Sequence, residues 1–126
     1  MAYLKRENGK HIYYEDNGHG HTAIILIHAW GMNLRAWDGT IPHLVEAGYR
    51  VVTLDHRGCG FSDKDFDDMS INAIANDVAA LVAELDLKKV ILNGWSIGGA
   101  VAIDAATLLK ETCCSLVFTC PAAPVY

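Results

Sequence analysis

Three short, nearly unbroken apolar runs, Ala23-Ile24-Ile25-Leu26-Ile27, Val51-Val52-Thr53-Leu54 and Val90-Ile91-Leu92, are followed by a fourth at Ser115 to Thr119, and a segment with helical features separates each from the next. Runs this short do not make helices. They lack the polar alternation of a strand with one wet face, so they predict strands covered on both faces. Between the first two, residues 34 to 47 read as helical, with Pro42 near a break or a second helical start. Gly48 stands where a left-handed C-terminal cap is needed. Ser70 suits the cap of a helix whose residues Ile71, Ile74, Val78, Leu81, Val82 and Leu85 share one face, and residues 97 to 110 form a third helix rich in small residues. Strand and helix in strict alternation predict an α/β fold: a doubly wound, mostly parallel sheet with helices on both faces, because right-handed crossovers place them there. Residues 3 to 6 and 11 to 15, around Asn8-Gly9, add an antiparallel hairpin at the start. No repeat, low-complexity tract or linker interrupts residues 1–126, which read as a single domain.

Charge narrows the partners. Ten Lys and Arg against 15 Asp and Glu give a net charge of -5, the wrong sign for a surface that holds nucleic acid or anionic lipid. No apolar run approaches the ~18 residues of a membrane span, and the basic start Met1 to Lys10 has no apolar core behind it; a cytoplasmic protein is expected. Cys59, Cys113, Cys114 and Cys120 form no C-x-x-C pair, so buried free thiols are expected rather than a zinc or dithiol centre.

The chemistry concentrates at Gly94-Trp95-Ser96-Ile97-Gly98, a G-x-S-x-G pattern between the strand at 90 to 92 and the helix that begins near 97. A serine on so sharp a turn is held in a strained backbone that projects its hydroxyl from the carboxyl edge of the sheet. The residues two either side must be small to let the chain pass, which Gly94 and Gly98 are. The helix start behind Ser96 aims free N–H groups at the position of a developing oxyanion, with the N–H of Ile97 the natural first donor. The alternative is a glycine-rich turn in which Ser96 merely caps the helix. Two other strand ends carry polar loops, His28-Ala29-Trp30-Gly31 after Ile27 and Asp55-His56-Arg57-Gly58-Cys59-Gly60-Phe61-Ser62-Asp63 after Leu54.

With these three motifs in this order, the sequence resembles the N-terminal half of the α/β-hydrolase superfamily. His28 to Gly31 look like its H-G-x-x oxyanion loop, Asp55 to Ser62 like its D-x-R-G-x-G-x-S loop, and Gly94 to Gly98 like its nucleophile elbow; the likeness is nearest to small esterases and cofactor-free haloperoxidase-like perhydrolases. The resemblance implies that Ser96 is the nucleophile and that the backbone N–H groups of Ile97 and Trp30 form an oxyanion hole. It implies a small-molecule carboxylic ester as substrate, no cofactor and no metal. Ala29 stands where the family commonly has glycine. Trp30 either walls the acyl pocket or is a core aromatic, and Arg57 is expected to lock its loop by pairing with Asp55 or Asp63. A haloalkane dehalogenase is disfavoured, since displacement there uses a carboxylate and position 96 is serine.

The family orders its triad as serine, acid, histidine. All six histidines, His11, His19, His21, His28, His43 and His56, precede Ser96, and the only later acids are Asp104 and Glu111. His28 and His56 sit beyond strand ends and are weighed as substitute bases, or with Asp55 as metal ligands, against a loop-fixing role; His19 and His21 read as solvated. By resemblance, further strands and helices follow residue 119, with a cap inserted after Pro121 to Pro124. The sequence thus reads as an incomplete core domain lacking C-terminal strands. Its open edge is expected to pair in a homo-oligomer or with a complementary C-terminal fragment. Three functions stay open: an esterase, a cofactor-free perhydrolase or haloperoxidase, and a non-catalytic half-domain.

Overall fold

The computed structural model describes residues 2–120. It contains strands β1 (Ala2–Lys5), β2 (His11–Asn17), β3 (Ala23–Ile27), β4 (Arg50–Leu54), β5 (Val90–Trp95) and β6 (Cys113–Thr119), and helices α1 (Ile41–Glu46), α2 (Ile71–Glu84) and α3 (Ile97–Leu109). The strands form one sheet in the order β1-β2-β4-β3-β5-β6. β1, β2 and β4 pair antiparallel, whereas β4, β3, β5 and β6 run parallel. This is the expected α/β architecture with an antiparallel start.

Every residue of β3 is buried, as an apolar run without alternation requires. Its odd residues, Ala23, Ile25 and Ile27, join Val52 and Leu54 of β4 in a core covered by Ile74, Val78 and Leu81 of α2 and by Val101, Ala102 and Ala105 of α3. Its even residues, Ile24 and Leu26, face the other way, against Trp37, Ile41, Leu44 and Val45 around α1. Helices therefore cover both faces. Ser70 caps α2 as its sequence implies, its side chain accepting from the Ala73 N–H at 3.1 Å.

Several local details differ from the sequence reading. The helical stretch at 34 to 47 divides into a 3-10 turn at Leu34–Trp37 and the short α1, which carries Pro42 in its first turn; Gly48 follows with φ +97°. Asn8 and Gly9 take positive φ, but within a longer connection closed by Arg6 N–H to Lys10 O at 2.7 Å rather than in a two-residue turn. The largest difference is at β6, expected to be a buried strand. It is the outer strand of the sheet, and Cys114 through Thr119 are exposed, because no described element lies beyond it. The segment from Pro121 lies outside the described residues. Among them no helix is long and apolar enough to cross a membrane.

Candidate functional site

β5 ends and α3 begins at Ser96, whose φ of 57° and ψ of -121° lie in a region that L-residues rarely occupy. Such a backbone stores roughly 1–3 kcal/mol and persists only where its surroundings enforce it. The Ser96 side chain makes no capping hydrogen bond. Ser70 is the internal contrast: the same residue type at the start of α2 has an extended backbone (φ -70°, ψ 160°) and does cap its helix. The reading of Ser96 as an ordinary helix cap is therefore overturned. Ser96 is half-buried, and among the described residues its hydroxyl has no hydrogen-bond partner at the start of α3, where the Ile97 and Gly98 N–H groups lack an intrahelical acceptor.

What enforces the turn is close backbone approach. A methyl group on Gly94 would overlap the Gly98 carbonyl and lie 2.5 Å from the Gly99 nitrogen; one on Gly98 would overlap the Ile27 carbonyl and lie 3.0 Å from that of His28. The first turn of α3 thus sits directly on the end of β3. Since Ile27 pairs with Gly94 across parallel strands, residues 28 to 31 leave the sheet beside residues 95 and 96. Residues 29 to 32 form a turn in which the Met32 N–H donates to the Ala29 carbonyl at 3.1 Å and Gly31 takes φ +74°. Trp30, at the head of this turn, is 65% exposed, so it is not a core aromatic. Trp37 and Trp95, packed edge to face, take that part instead.

The loop after β4 is built as a brace. The Asp55 carboxylate accepts from the Leu34 and Phe61 N–H groups, both at 2.8 Å, and Asp63 accepts from the His11 N–H at 2.7 Å. With both acids held by backbone donors, the expected pairing of Arg57 with Asp55 or Asp63 does not occur. Arg57 turns under α2 and donates Nε to Asp77 Oδ2 at 2.8 Å, Nη2 to Asp77 Oδ1 at 2.7 Å and Nη1 to the Asp68 carbonyl at 2.8 Å, with Glu7 as a further partner. Burial opposes the Arg57 charge, but the hydrogen bonds to Asp77 and Glu7 outweigh it and hold its pKa above the ordinary arginine value. A signal for Asp77 existed in the sequence: it is an acid set among Ile74, Val78 and Leu81 on the apolar face of α2.

His28 and His56 are buried against each other, ring centroids 3.7 Å apart. His28 Nδ1 bonds the Ala29 carbonyl at 2.8 Å while its Nε2 accepts from the His56 N–H at 3.0 Å; His56 Nε2 bonds the His28 carbonyl at 2.9 Å. Three of the four ring nitrogens are thus engaged with backbone, which is the loop-fixing role and leaves neither ring available as a base for Ser96. Burial lowers the pKa of both. For His56 burial and then the neighbouring His28 ring bring it down to about 3. His19 and His21 are exposed. No group of three His, Cys, Asp or Glu among the described residues is placed to hold a metal ion. The cysteines are free but not buried: Cys59 and Cys113 are half-exposed, and Cys114 and Cys120 are open to solvent. Desolvation raises the Cys59 and Cys113 thiols, so neither is an activated nucleophile.

The model of the alpha/beta hydrolase fold family matches residues 22–125. A Bacillus subtilis AB hydrolase superfamily protein, YisY, is 37% identical over 101 residues, which are 80% of this chain and 37% of that protein. Among solved structures, a bromoperoxidase from Bacillus anthracis is 37% identical with a TM-score of 0.85 over 93% of this chain and 43% of its own. An esterase, EaEST, from Exiguobacterium antarcticum is 30% identical with a TM-score of 0.91 over 98% of this chain and 46% of its own. The chain therefore spans less than half the length of these relatives.

Proposed function

Because the chain belongs to the alpha/beta hydrolase fold family, we propose that it carries the nucleophile half of a serine hydrolase acting on small carboxylic esters. The observation that carries this reading is the strained Ser96 backbone with its uncapped hydroxyl beside the start of α3. In the proposed reaction the Ser96 Oγ bonds to the ester carbonyl carbon, and charge collects on the carbonyl oxygen. The N–H groups of Ile97 and Trp30 stabilise that oxyanion, each by about 3–4 kcal/mol. The carbon–alkoxy bond then breaks, the alcohol leaves with the serine proton, and water cleaves the acyl-serine to release the acid. No cofactor takes part.

A base must accept the serine proton, and His28 and His56 are committed to backbone. The acid and histidine come, in this proposal, from a further segment or chain that joins the exposed outer edge of β6. A perhydrolase is the second reading, favoured by the likeness to the Bacillus anthracis bromoperoxidase; hydrogen peroxide then replaces water as acyl acceptor and a peracid is released.

Fluorophosphonate labelling of the chain and of Ser96→Ala, each assayed together with a complementary C-terminal segment that supplies the acid and histidine, tests the nucleophile. Labelling lost in the variant is the expected result, and labelling of neither would leave the non-catalytic half-domain as the better account. Short-chain ester turnover with and without peroxide separates the two acceptors.

A further inference from the structure

We infer that the buried pair His28 and His56 are positioning residues that aim the Trp30 N–H, and that they do so only while both imidazoles are neutral. The second half of that role, service to an oxyanion, rests on the function proposed above; the first does not.

The inference starts from peptide geometry. Within one trans peptide the C=O and N–H vectors lie in a plane and point opposite ways, so whatever holds the Ala29 carbonyl fixes the direction of the Trp30 N–H. Two donors hold that carbonyl, the His28 Nδ1 at 2.8 Å and the Met32 N–H at 3.1 Å. The preceding peptide is held as well, since the His28 carbonyl accepts from His56 Nε2 at 2.9 Å. Consecutive peptide planes leading to Trp30 are each locked by an imidazole. His28 ties back in turn, because its Nε2 accepts the His56 N–H at 3.0 Å. The loops after β3 and β4 are thereby clasped together from both sides.

The clasp dictates tautomers. His28 must carry its proton on Nδ1, because Nε2 faces a donor; His56 must carry it on Nε2, because that atom faces a carbonyl. His56 Nδ1 is buried with no partner among the described residues. A second proton on His28 would set N–H against N–H, and one on His56 would bury an unanswered donor, in both cases with charge placed in a stack 3.7 Å deep. The groups around the pair offer little relief. Asp55 attracts a proton to His28 but is occupied by the Leu34 and Phe61 N–H groups; Arg57, next to His56, is neutralised by Asp77 from α2 and by Glu7; Cys59 is held as thiol by its burial; and α3 contributes the backbone of Gly98. Burial lowers both histidine pKa values below the ordinary one, in keeping with this geometry. Protonation favours the unfolded or unclasped loop. The stability the clasp contributes is complete above the usual histidine value of about 6.5 and is lost progressively as pH falls from there towards the folded values.

Nitrogen-15 NMR of the chain tests this. The expected result is a neutral Nδ1–H His28 and a neutral Nε2–H His56 in the folded protein at about pH 6.5, where a free imidazole is half protonated, with the Trp30 amide order parameter near 0.85. Protonation of either ring in the folded state at that pH, or the opposite tautomers, overturns the inference. In His56→Phe the Trp30 order parameter is expected to fall below about 0.6; His56→Gln, whose amide replaces the Nε2 donor, is expected to restore it and to leave only the acid sensitivity that His28 contributes to the Trp30 signal. An unchanged Trp30 amide in both variants overturns the clasp. Should His56→Phe not fold, the Gln variant and the tautomer titration still decide. Fluorophosphonate reactivity of Ser96 is read on the same samples with the complementary segment added: reactivity that falls with Trp30 order supports the oxyanion role, while a Ser96 inert in every sample counts against the proposed function and leaves the NMR to judge the clasp.

Discussion

Arg57 and Asp77 meet through two parallel hydrogen bonds of 2.7 and 2.8 Å, both side chains 1% exposed, and so tie the loop after β4 to the middle of α2. The guanidinium is sandwiched as well, its Cζ 4.1 Å above the Phe66 ring. Removing Asp77 leaves the buried Arg57 charge with only Glu7, itself 49% exposed, to answer it, and loss of one member of a buried pair typically destabilises by about 3–5 kcal/mol. Asp77→Ala is expected to lie in that range by urea denaturation, whereas Arg57→Met combined with Asp77→Leu is expected to be much closer to the unaltered chain. A single variant no worse than the double one would show that the pair is not desolvated as described.

Gly94→Ala and Gly98→Ala should each disrupt the turn around Ser96, because the added methyl meets backbone rather than a movable side chain. Overpacking of a site that cannot yield costs about 1–3 kcal/mol or more. Denaturation midpoints measure this. By contrast Gly39→Ala, where an added methyl meets open space, should fall within about 0.5 kcal/mol of the unaltered chain.

Ser96 itself presents a trade between strain and function. With φ at 57° and ψ at -121°, glycine fits the position better than serine does, so Ser96→Gly is expected to gain about 1 kcal/mol of stability, net of the extra freedom glycine has when unfolded. Ser96→Ala keeps the strain and gains nothing comparable. Both should lose fluorophosphonate labelling. A destabilised Ser96→Gly would mean that the hydroxyl supports the fold rather than being held against it.

The outer edge of β6 presents Leu116, Val117 and Phe118, the last 42% exposed, together with backbone groups that pair with no other strand among the described residues. Self-association through this edge is expected when the chain is alone in solution, seen as a sedimentation coefficient that rises with concentration. Val117→Lys should suppress it. An unaltered chain that stays monomeric at every concentration would argue that the edge is not a pairing surface.

How far these features could be read in advance depended on the range of the interactions behind them. Alternating β-strand and helix, the cap at Ser70, the second helical start at Pro42 and the left-handed Gly48 are properties of a few adjacent residues, and the folded chain keeps all of them. The strand-to-helix turn at Gly94 to Gly98 was legible for the same reason: two glycines flanking a serine by two residues describe a local backbone path. The exposure of β6 is not legible in its residues, because an apolar run records what a strand can tolerate, not what lies beside it. Proximity in sequence points Arg57 to Asp55 or Asp63, whereas its partner Asp77 lies 20 residues on, on a helix face.

The amino-acid order alone therefore determined the α/β class, the strand and helix succession and the position of the candidate serine, since these follow from periodicity and backbone sterics within one turn or strand. Only the tertiary structure decided that His28 and His56 clasp one another, that Asp77 answers Arg57 and that Trp30 faces solvent. Hydrogen bonds and burial act over distances of a few ångströms in space, and the folded backbone, not spacing along the chain, selects which residues come that close.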